Sequence, residues 1–289
     1  MRTLDETIEN QAWLDQVADP IQPSITKLLD NNRFLRNLLH GTWLGHPVHV
    51  AVSDVPVGAW TVSLVLDSFE MLGLSKSFRR GADGATAIGL ASAMVAAASG
   101  LADWSHTAGG ARRLGMVHGI GNVLATGLYT ASMIARLTGN RPTARSLAGM
   151  GYGLVLFTSW AGGELSHKCG IGVNHAAFEK STDEWESVLA DSELREGDLR
   201  KVDLDGVPVF LTRYQGTVYA MGNTCTHLGG PLAEGHMEGD CVVCPWHDSY
   251  FRVTDGSAVV GPATSSARTF DVQIVGGRIE MRPANVTCQ

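Results

Sequence analysis

Two short stretches place a thiol and an imidazole side by side. Cys225-Thr-His227 and Cys244-Pro-Trp-His247, separated by sixteen residues, each offer one sulfur donor and one ring nitrogen. Together they suit an asymmetric [2Fe–2S] cluster, with two thiolates on one iron and two imidazoles on the other. The same four side chains could hold a single tetrahedral zinc ion. Zinc fingers usually gather both cysteines in one knuckle and both histidines in another, whereas each loop here is mixed. Five cysteines, the other three being Cys169, Cys241 and Cys288, are too few and too unevenly placed for a disulfide framework.

A second set of residues with chemical potential lies far upstream. His46 and His49 stand where a polar leader gives way to an apolar run, and His106, His118 and His167 stand at the ends of later runs. With alternating chain direction all five fall at one side of a helical bundle. His49 and His118 are each about one turn inside their helices, at similar depth. They are therefore the candidates for axial ligands of a b-type haem, which a four-helix bundle can house. Asp54, five residues beyond His49, is roughly 7 Å deeper along the axis and could take a proton from a quinol. A cofactor-free quinol pocket and a purely structural role for these side chains stay open beside the haem.

The elements that must position these residues differ between the two halves. Val48–Leu66, Ala85–Ala102, Met116–Ala135 and Ser146–Gly163 are apolar runs of 18 to 20 residues, and Asp54 is the only formal charge within them. About 20 residues at 1.5 Å rise match a hydrocarbon core of roughly 30 Å, so each run is expected to span a bilayer. Pairs such as Gly89/Ala93 and Gly149/Gly153 would let the helices approach closely. Ahead of the runs, Leu4 to Val17 has helical spacing. Ser24 is expected to cap a second helix reaching Leu39, whose Lys27, Arg33 and Arg36 suit lipid headgroups or a cap on the bundle. From Ser187 the texture is β. Gln215-Gly216, Asp255-Gly256 and Gly276-Gly277 are turn signals between short β-branched runs, and Pro208 points to a sheet edge or a strand start.

The stretch from Val188 to about Pro283 resembles the Rieske iron–sulfur domain, through CTHLGGPLAEG, CPWHDSYF and Gly261-Pro262. The resemblance implies a [2Fe–2S] cluster held by Cys225, His227, Cys244 and His247, with Ser249, Leu228 and Pro262 tuning it. Respiratory Rieske proteins carry a further cysteine in each loop, joined as a bracing disulfide. Here those places are Gly230 and Trp246, so the pattern is similar to the ferredoxins and oxygenases of ring-hydroxylating systems. Ser249 matches one hydroxyl that donates to the cluster in high-potential members, and Phe251 replaces the tyrosine that supplies the other. Asp248 replaces a glycine. The N-terminal half resembles a family of bacterial four-span membrane proteins of uncharacterised function, through LHGTWLGHPVHVAVSDVPVGAW, SGLADW and Gly115-Met-Val-His118.

The expected architecture is therefore a multidomain membrane protein, an all-α four-helix transmembrane bundle followed by an all-β Rieske domain. Its divisions are an amphipathic helical segment at 1–45, the bundle at 46–166, a linker at 167–187, the Rieske domain at 188–283 and a tail at 284–289. The formal net charge of −7, without a basic stripe, excludes nucleic acid as a partner. Met1 to Pro47 has no basic-then-apolar start, so no secretory leader is expected. The expected place is a bacterial cell membrane, with the Rieske domain on the cytoplasmic side. The expected function is transfer of single electrons between a membrane quinol or haem and a redox partner protein. No 2-His-1-carboxylate domain follows that would make the chain an oxygenase. The alternative is a redox-sensing or ligand-binding protein whose bundle is only an anchor or receptor. Homo-oligomerisation is left open by the sequence.

Overall fold

The computed structural model describes residues 3–284, which form two compact units. Of the described residues, one unit comprises 3–32 and Val48–Ile171, and the other comprises Arg33–Pro47 and 172–284. The helical elements are α1 (Leu4–Glu9), α2 (Trp13–Asp30), α3 (Arg33–His40), α4 (Val48–Met71), α5 (Phe78–Trp104), α6 (Gly109–Leu137) and α7 (Arg141–His167), with a 3₁₀ turn at Thr42–Leu44. The strands are β1 (Glu186–Ala190), β2 (Leu199–Leu204), β3 (Val207–Tyr214), β4 (Thr217–Gly222), β5 (His236–Glu238), β6 (Cys241–Val243), β7 (Tyr250–Arg252), β8 (Ala258–Val260), β9 (Thr269–Val275) and β10 (Arg278–Pro283).

In the helical unit, α4 packs along α5 and α6 along α7 as two hairpins. Asn140 opens α7, its side chain accepting from the Thr143 N–H at 3.3 Å, with Pro142 in the first turn where a missing N–H costs nothing. The centre is a stack of Trp60 on Tyr129, with ring centroids 4.0 Å apart and planes 4° from parallel. Glycine admits these rings. A Cβ at Gly89 would lie 2.3 Å from Trp60 Nε1, and one at Gly151 would lie 3.0 Å from the Tyr129 ring. The expected pair Gly149/Gly153 instead faces outward with open space at both positions. Two residues along a helix turn the side chain by about 200°, so Gly151 takes the inner face that its neighbours cannot.

Helices α4 and α5, of 24 and 27 residues, are long and apolar enough to cross a membrane. Only 17% and 39% of their apolar windows are buried within the protein, unlike the core helices of a soluble domain. α6 and α7 are as long but carry more glycine and polar side chains, and they fall short of the same measure. Two apolar helices, rather than four, thus meet the expectation of membrane spans.

The bases between the runs also behave differently from a simple count of loop charge. Arg136 is buried and binds Asp67 and, at 3.0 Å, Asp83; Arg141 holds Asp83 at 2.6 Å. Arg145 and Arg79 both bind Glu70. These acids lie in α4 and α5, so the network ties the two hairpins together at one end. At the other end, Lys168 grips Asp5 at 2.5 Å and Glu9 at 2.9 Å, while Arg113 holds Asp15 at 2.6 Å and Arg112 holds Asp19 at 2.6 Å. Gln22 donates to the carbonyls of Trp104 and Thr107 at 3.0 and 2.8 Å. α1 and α2 are therefore fastened to α6, to the α5–α6 turn and to the C-terminal end of α7.

The expected second helix is split. Ser24 lies inside α2 and bonds Pro20 O at 2.9 Å rather than capping a helix start, and the chain breaks at Asn31-Asn32 before α3 begins. α3 and the 3₁₀ turn belong to the β unit, not to the helices. Among the described residues no helix or strand lies between the end of α7 at His167 and the start of β1 at Glu186, the stretch expected as the linker, and the β unit takes in the chain from Gly172.

The β unit holds a six-stranded antiparallel sheet, ordered β1-β10-β9-β4-β3-β2, and a four-stranded one, β5-β6-β7-β8. The expected turns are in place. Gln215-Gly216 and Gly276-Gly277 have positive φ at both residues, as tight hairpins require, and close Tyr214↔Thr217 and Val275↔Arg278. Pro208 is the second residue of β3, an interior strand, so it marks a strand start and not an edge. β3 is apolar on both faces. Val209 and Leu211 join a core with Ile279 and Met281, whereas Phe210 between them joins Met221, Cys225, Cys244 and Phe251 on the opposite face.

Two measurements test this scaffold. Arg136→Met leaves the buried Asp67 with only Arg141, 4.0 Å away, as a cation and should destabilise the helical unit by about 3–5 kcal/mol, read as a lowered unfolding midpoint in detergent. The clasp at the other end should be acid-labile. Lys168 holds Asp5 at about 2, below its ordinary 3.8, and Arg113 likewise lowers Asp15. Depressed carboxylates stabilise fully above 3.8, and this is lost as pH falls toward 2. Amide exchange in α1 and α2 should therefore stay slow down to about pH 4 and rise below it.

Candidate metal centre

The two thiol–imidazole loops are built on one backbone plan. In the first, the Cys225 N–H donates to Gly230 O at 2.8 Å and the Gly229 N–H returns to Cys225 O at 2.9 Å. In the second, the Cys244 N–H donates to Ser249 O at 2.9 Å and the Asp248 N–H returns to Cys244 O at 3.1 Å. Each loop thus closes five residues after its cysteine, and in each the fourth residue is left-handed, Gly229 at φ 80° and Asp248 at φ 50°. This accounts for the glycine expected at 248. Aspartate is among the few residues that tolerate that region, and its carboxylate turns to solvent.

The side chains sort by chemistry. Cys225 and Cys244 are buried in the core under β3. His227 and His247 are half-buried, their rings perpendicular with centroids 5.1 Å apart, as two ligands of one metal would lie. The Cys225 thiol donates to Cys244, which pushes Cys225 up and brings Cys244 down to about 7. Burial first, and then the Arg36 guanidinium, lower the His247 ring below its ordinary value, favouring the neutral form that binds a metal. A Cβ at Gly230 would come within 2.8 Å of Cys244 Sγ, so glycine keeps the space beside the thiols open. Among the described residues no three His, Cys, Asp or Glu side chains converge on one ion. Paired thiols inside and paired imidazoles outside are what a binuclear cluster needs, two ligands for each iron. The donor set fits the cluster.

The two places where respiratory Rieske proteins carry the bracing cysteines, Gly230 and Trp246, are adjacent. A Cβ at Gly230 would lie 3.1 Å from Trp246 Cγ, and the indole occupies the space where a second cysteine would meet it. Cys169, Cys225, Cys241 and Cys244 are all free thiols. Cys241 is buried in β6, while Cys288 lies outside the described residues. Ser249 is fully buried, its oxygen accepting from the Ala263 N–H at 3.0 Å, which leaves its hydrogen for another acceptor. Phe251, on β7, is equally buried. Pro262 is buried behind a cis peptide with Gly261, and Leu228 is half-buried beside His227.

Residues outside the expected domain brace both loops. Arg36, buried in α3, donates to His247 O, and to Asp248 O at 3.3 Å. Asn37 brackets the third loop, donating to Val259 O at 3.1 Å and accepting from the Gly261 N–H at 3.0 Å. Arg33 anchors the start of α3 on Glu238 at 3.1 Å and on the Tyr250 hydroxyl at 3.0 Å. On the other side, the His175 N–H donates to Thr226 O at 3.1 Å, and Thr224 donates to Glu179 at 2.5 Å. Sequence reasoning missed these roles because a basic, amphipathic α3 suits a lipid surface as well as a protein one. Only the long-range contacts decide.

Among the upstream candidates, the structure joins His49 and His118, with ring centroids 6.2 Å apart. His46 is exposed beside Pro47, in the segment that belongs to the β unit. His106 is buried in the α5–α6 turn, and His167 is exposed at the end of α7. Asp54 does not join the pair. Five residues on from His49 it points about 140° away around α4 and is exposed, because 100° per residue puts it on another face.

Residues 184–271 match the family model "Rieske [2Fe-2S] domain", and residues 45–175 match "Predicted membrane protein (DUF2231)". The ferredoxin component of the naphthalene 1,2-dioxygenase system of Pseudomonas aeruginosa is 35% identical over 98 residues, covering 34% of this chain and 94% of that protein. Ferredoxin CarAc of Metapseudomonas resinovorans is 33% identical, over 33% of this chain and 90% of its own. Among solved structures, a chain of the complex of reduced oxygenase and oxidised ferredoxin in carbazole 1,9a-dioxygenase is 30% identical. It is covered over 99% of its length, against 36% of this chain, with a TM-score of 0.35. Two buried thiols and two outward imidazoles agree with the family matches and the ferredoxin relatives: the chain belongs to the Rieske [2Fe–2S] family, as a homologue of dioxygenase ferredoxins, with a domain of a predicted-membrane-protein family ahead of the cluster domain.

Proposed function

We infer that the chain is a membrane-anchored Rieske electron-transfer protein. It passes single electrons between a quinol or haem on the membrane side and a redox protein in solution. The observation that carries this reading is the split of the four ligands, thiols buried and imidazoles half-exposed, on two loops closed by the same backbone bonds. When bound, such a cluster stores and releases one electron at a time. The residues here do the rest. Cys225 and Cys244 hold the inner side away from water, and His227 and His247 form the short path outward. Arg36 fixes the second loop through the His247 carbonyl.

That the relatives are ferredoxin components of dioxygenase systems supports an oxygenase-type redox protein as the soluble partner. Membrane anchoring rests on the match over 45–175 and on the mostly uncovered apolar surface of α4 and α5, with α6 and α7 completing four spans. A cytoplasmic cluster domain is supported by the free thiols, since bracing disulfides belong to oxidising compartments.

The test uses the full chain purified in detergent, followed by electron paramagnetic resonance. Reduction by a quinol, or reoxidation by a Rieske oxygenase component, is expected. Exchange with neither would favour a redox sensor whose helices are only an anchor. Cys225→Ser and Cys244→Ser should each abolish the reduced-cluster signal, whereas Cys169→Ser and Cys241→Ser should keep it. Ser249→Ala should lower the midpoint potential by roughly 60 mV. A charge-assisted hydrogen bond is worth about 1.5 kcal/mol, and for one electron about 59 mV is a tenfold change in equilibrium.

A further inference from the structure

We propose that His49 and His118 are the two axial ligands of a b-type haem held between the α4–α5 and α6–α7 hairpins. The inference rests on the membrane-side reading above and gives that side its redox group.

Each ring is oriented by its neighbouring helix. His49 Nδ1 is 2.8 Å from Ala96 O on α5, and His118 Nδ1 is 2.8 Å from Thr158 O on α7. A carbonyl only accepts, so each Nδ1 carries the proton and each Nε2 keeps a lone pair. This fixing of tautomer and ring plane through the other nitrogen is the arrangement that metal-bound histidines show. Asn122 reports the same state. Its amide nitrogen lies 3.0 Å from His118 Nε2, donating to that lone pair, while its Oδ1 accepts from Thr158 Oγ1 at 2.9 Å.

Glycine makes the slots in which the rings sit. A Cβ at Gly100 on α5 would lie 2.8 Å from His49 Nδ1, and a Cβ at Gly162 on α7 would lie 3.1 Å from the His118 ring. Both rings are thus seated against their own hairpin and face the other. Their centroids are 6.2 Å apart with planes at 86°. Two metal–nitrogen bonds of about 2 Å, with about 1 Å from each nitrogen to its ring centre, add to roughly 6 Å.

The donor set selects the ligand. Neither ring has a second N–H to offer a quinone carbonyl, because the single proton on each is committed to the backbone. Among the described residues no third histidine, cysteine or carboxylate joins them, so a bare zinc or copper ion would lack its remaining ligands. A metal that brings its own equatorial ring needs only two axial imidazoles from facing helices. A haem iron held there would take the place of the Asn122 amide at His118 Nε2.

The experiment is a haem assay on the detergent-purified full chain, by reduced-minus-oxidised absorption and pyridine haemochrome, with the cluster followed independently by paramagnetic resonance. One b-type haem per chain is expected. His49→Gly and His118→Gly should each lower haem content at least about tenfold, and added imidazole should restore binding to His49→Gly. His46→Ala should keep full haem. A wild-type chain that carries its cluster but no haem overturns the inference. So does haem retained in both glycine variants. Haem present without a cluster signal would support this site while overturning the electron-transfer reading, which keeps the two failures apart.

Discussion

Two thiols must stay dry and two imidazoles must reach outward within the span of one small cluster, and the chain meets this with backbone geometry before side-chain chemistry. The paired bonds from each cysteine's N–H and C=O close both loops at the same length. That closure forces a left-handed residue at the fourth position of each, Gly229 in one and Asp248 in the other. It also sets each cysteine inward on the Phe210 side of β3 while the histidine stays on the rim. Replacing glycine by aspartate at 248 therefore changes charge at the surface without changing the loop's path.

Loops of this kind gain rigidity from what packs on them, and here much of that packing is non-local. Arg36 reaches the backbone of His247 and Asp248, and Asn37 holds both Val259 and Gly261, so one short helix fixes the second and third loops together. The salt bridge of Arg33 to Glu238 is mostly exposed and worth little by itself. The buried guanidinium of Arg36 matters more. It supplies donors to carbonyls beside a ligand and places a fixed positive charge next to an imidazole, which favours any extra negative charge stored nearby. The family match begins at residue 184, so this brace comes from chain outside it.

What the sequence could disclose follows from how local each signal is. The ligand spacing, the Gln215-Gly216 and Gly276-Gly277 turns and the long apolar runs are contained within short windows, and each has its counterpart in the structure. Long-range partners are another matter. Arg33 and Arg36 were legible only as a basic helix face, and the bases at 136, 141 and 145 only as loop charge. Their partners at Asp67, Asp83 and Glu70 lie more than fifty residues away. Asp54 and the Gly149/Gly153 pair were misplaced for a smaller reason. Both depend on helical phase, and an apolar run without a strong polar stripe does not reveal which face is inner. Ser24 has a capping side chain but sits in the interior of α2, where Pro20 and Pro23 do not stop the helix.

The difference between the two hairpins follows from the same question of phase. α4 and α5 are apolar by composition, whereas α6 and α7 are diluted by His118, Asn122, Tyr152 and Thr158. Those polar groups are paired within the bundle: Tyr152 with Thr61 at 2.9 Å, Asn122 with Thr158, and His118 with a carbonyl. Their outward neighbours Ile120, Val123, Leu124 and Leu156 are apolar and exposed. A hydropathy average adds the two faces and so marks α6 and α7 down for groups that are paired inside the bundle. The two helices with the lower hydropathy are therefore the ones whose polar groups are paired inside the bundle.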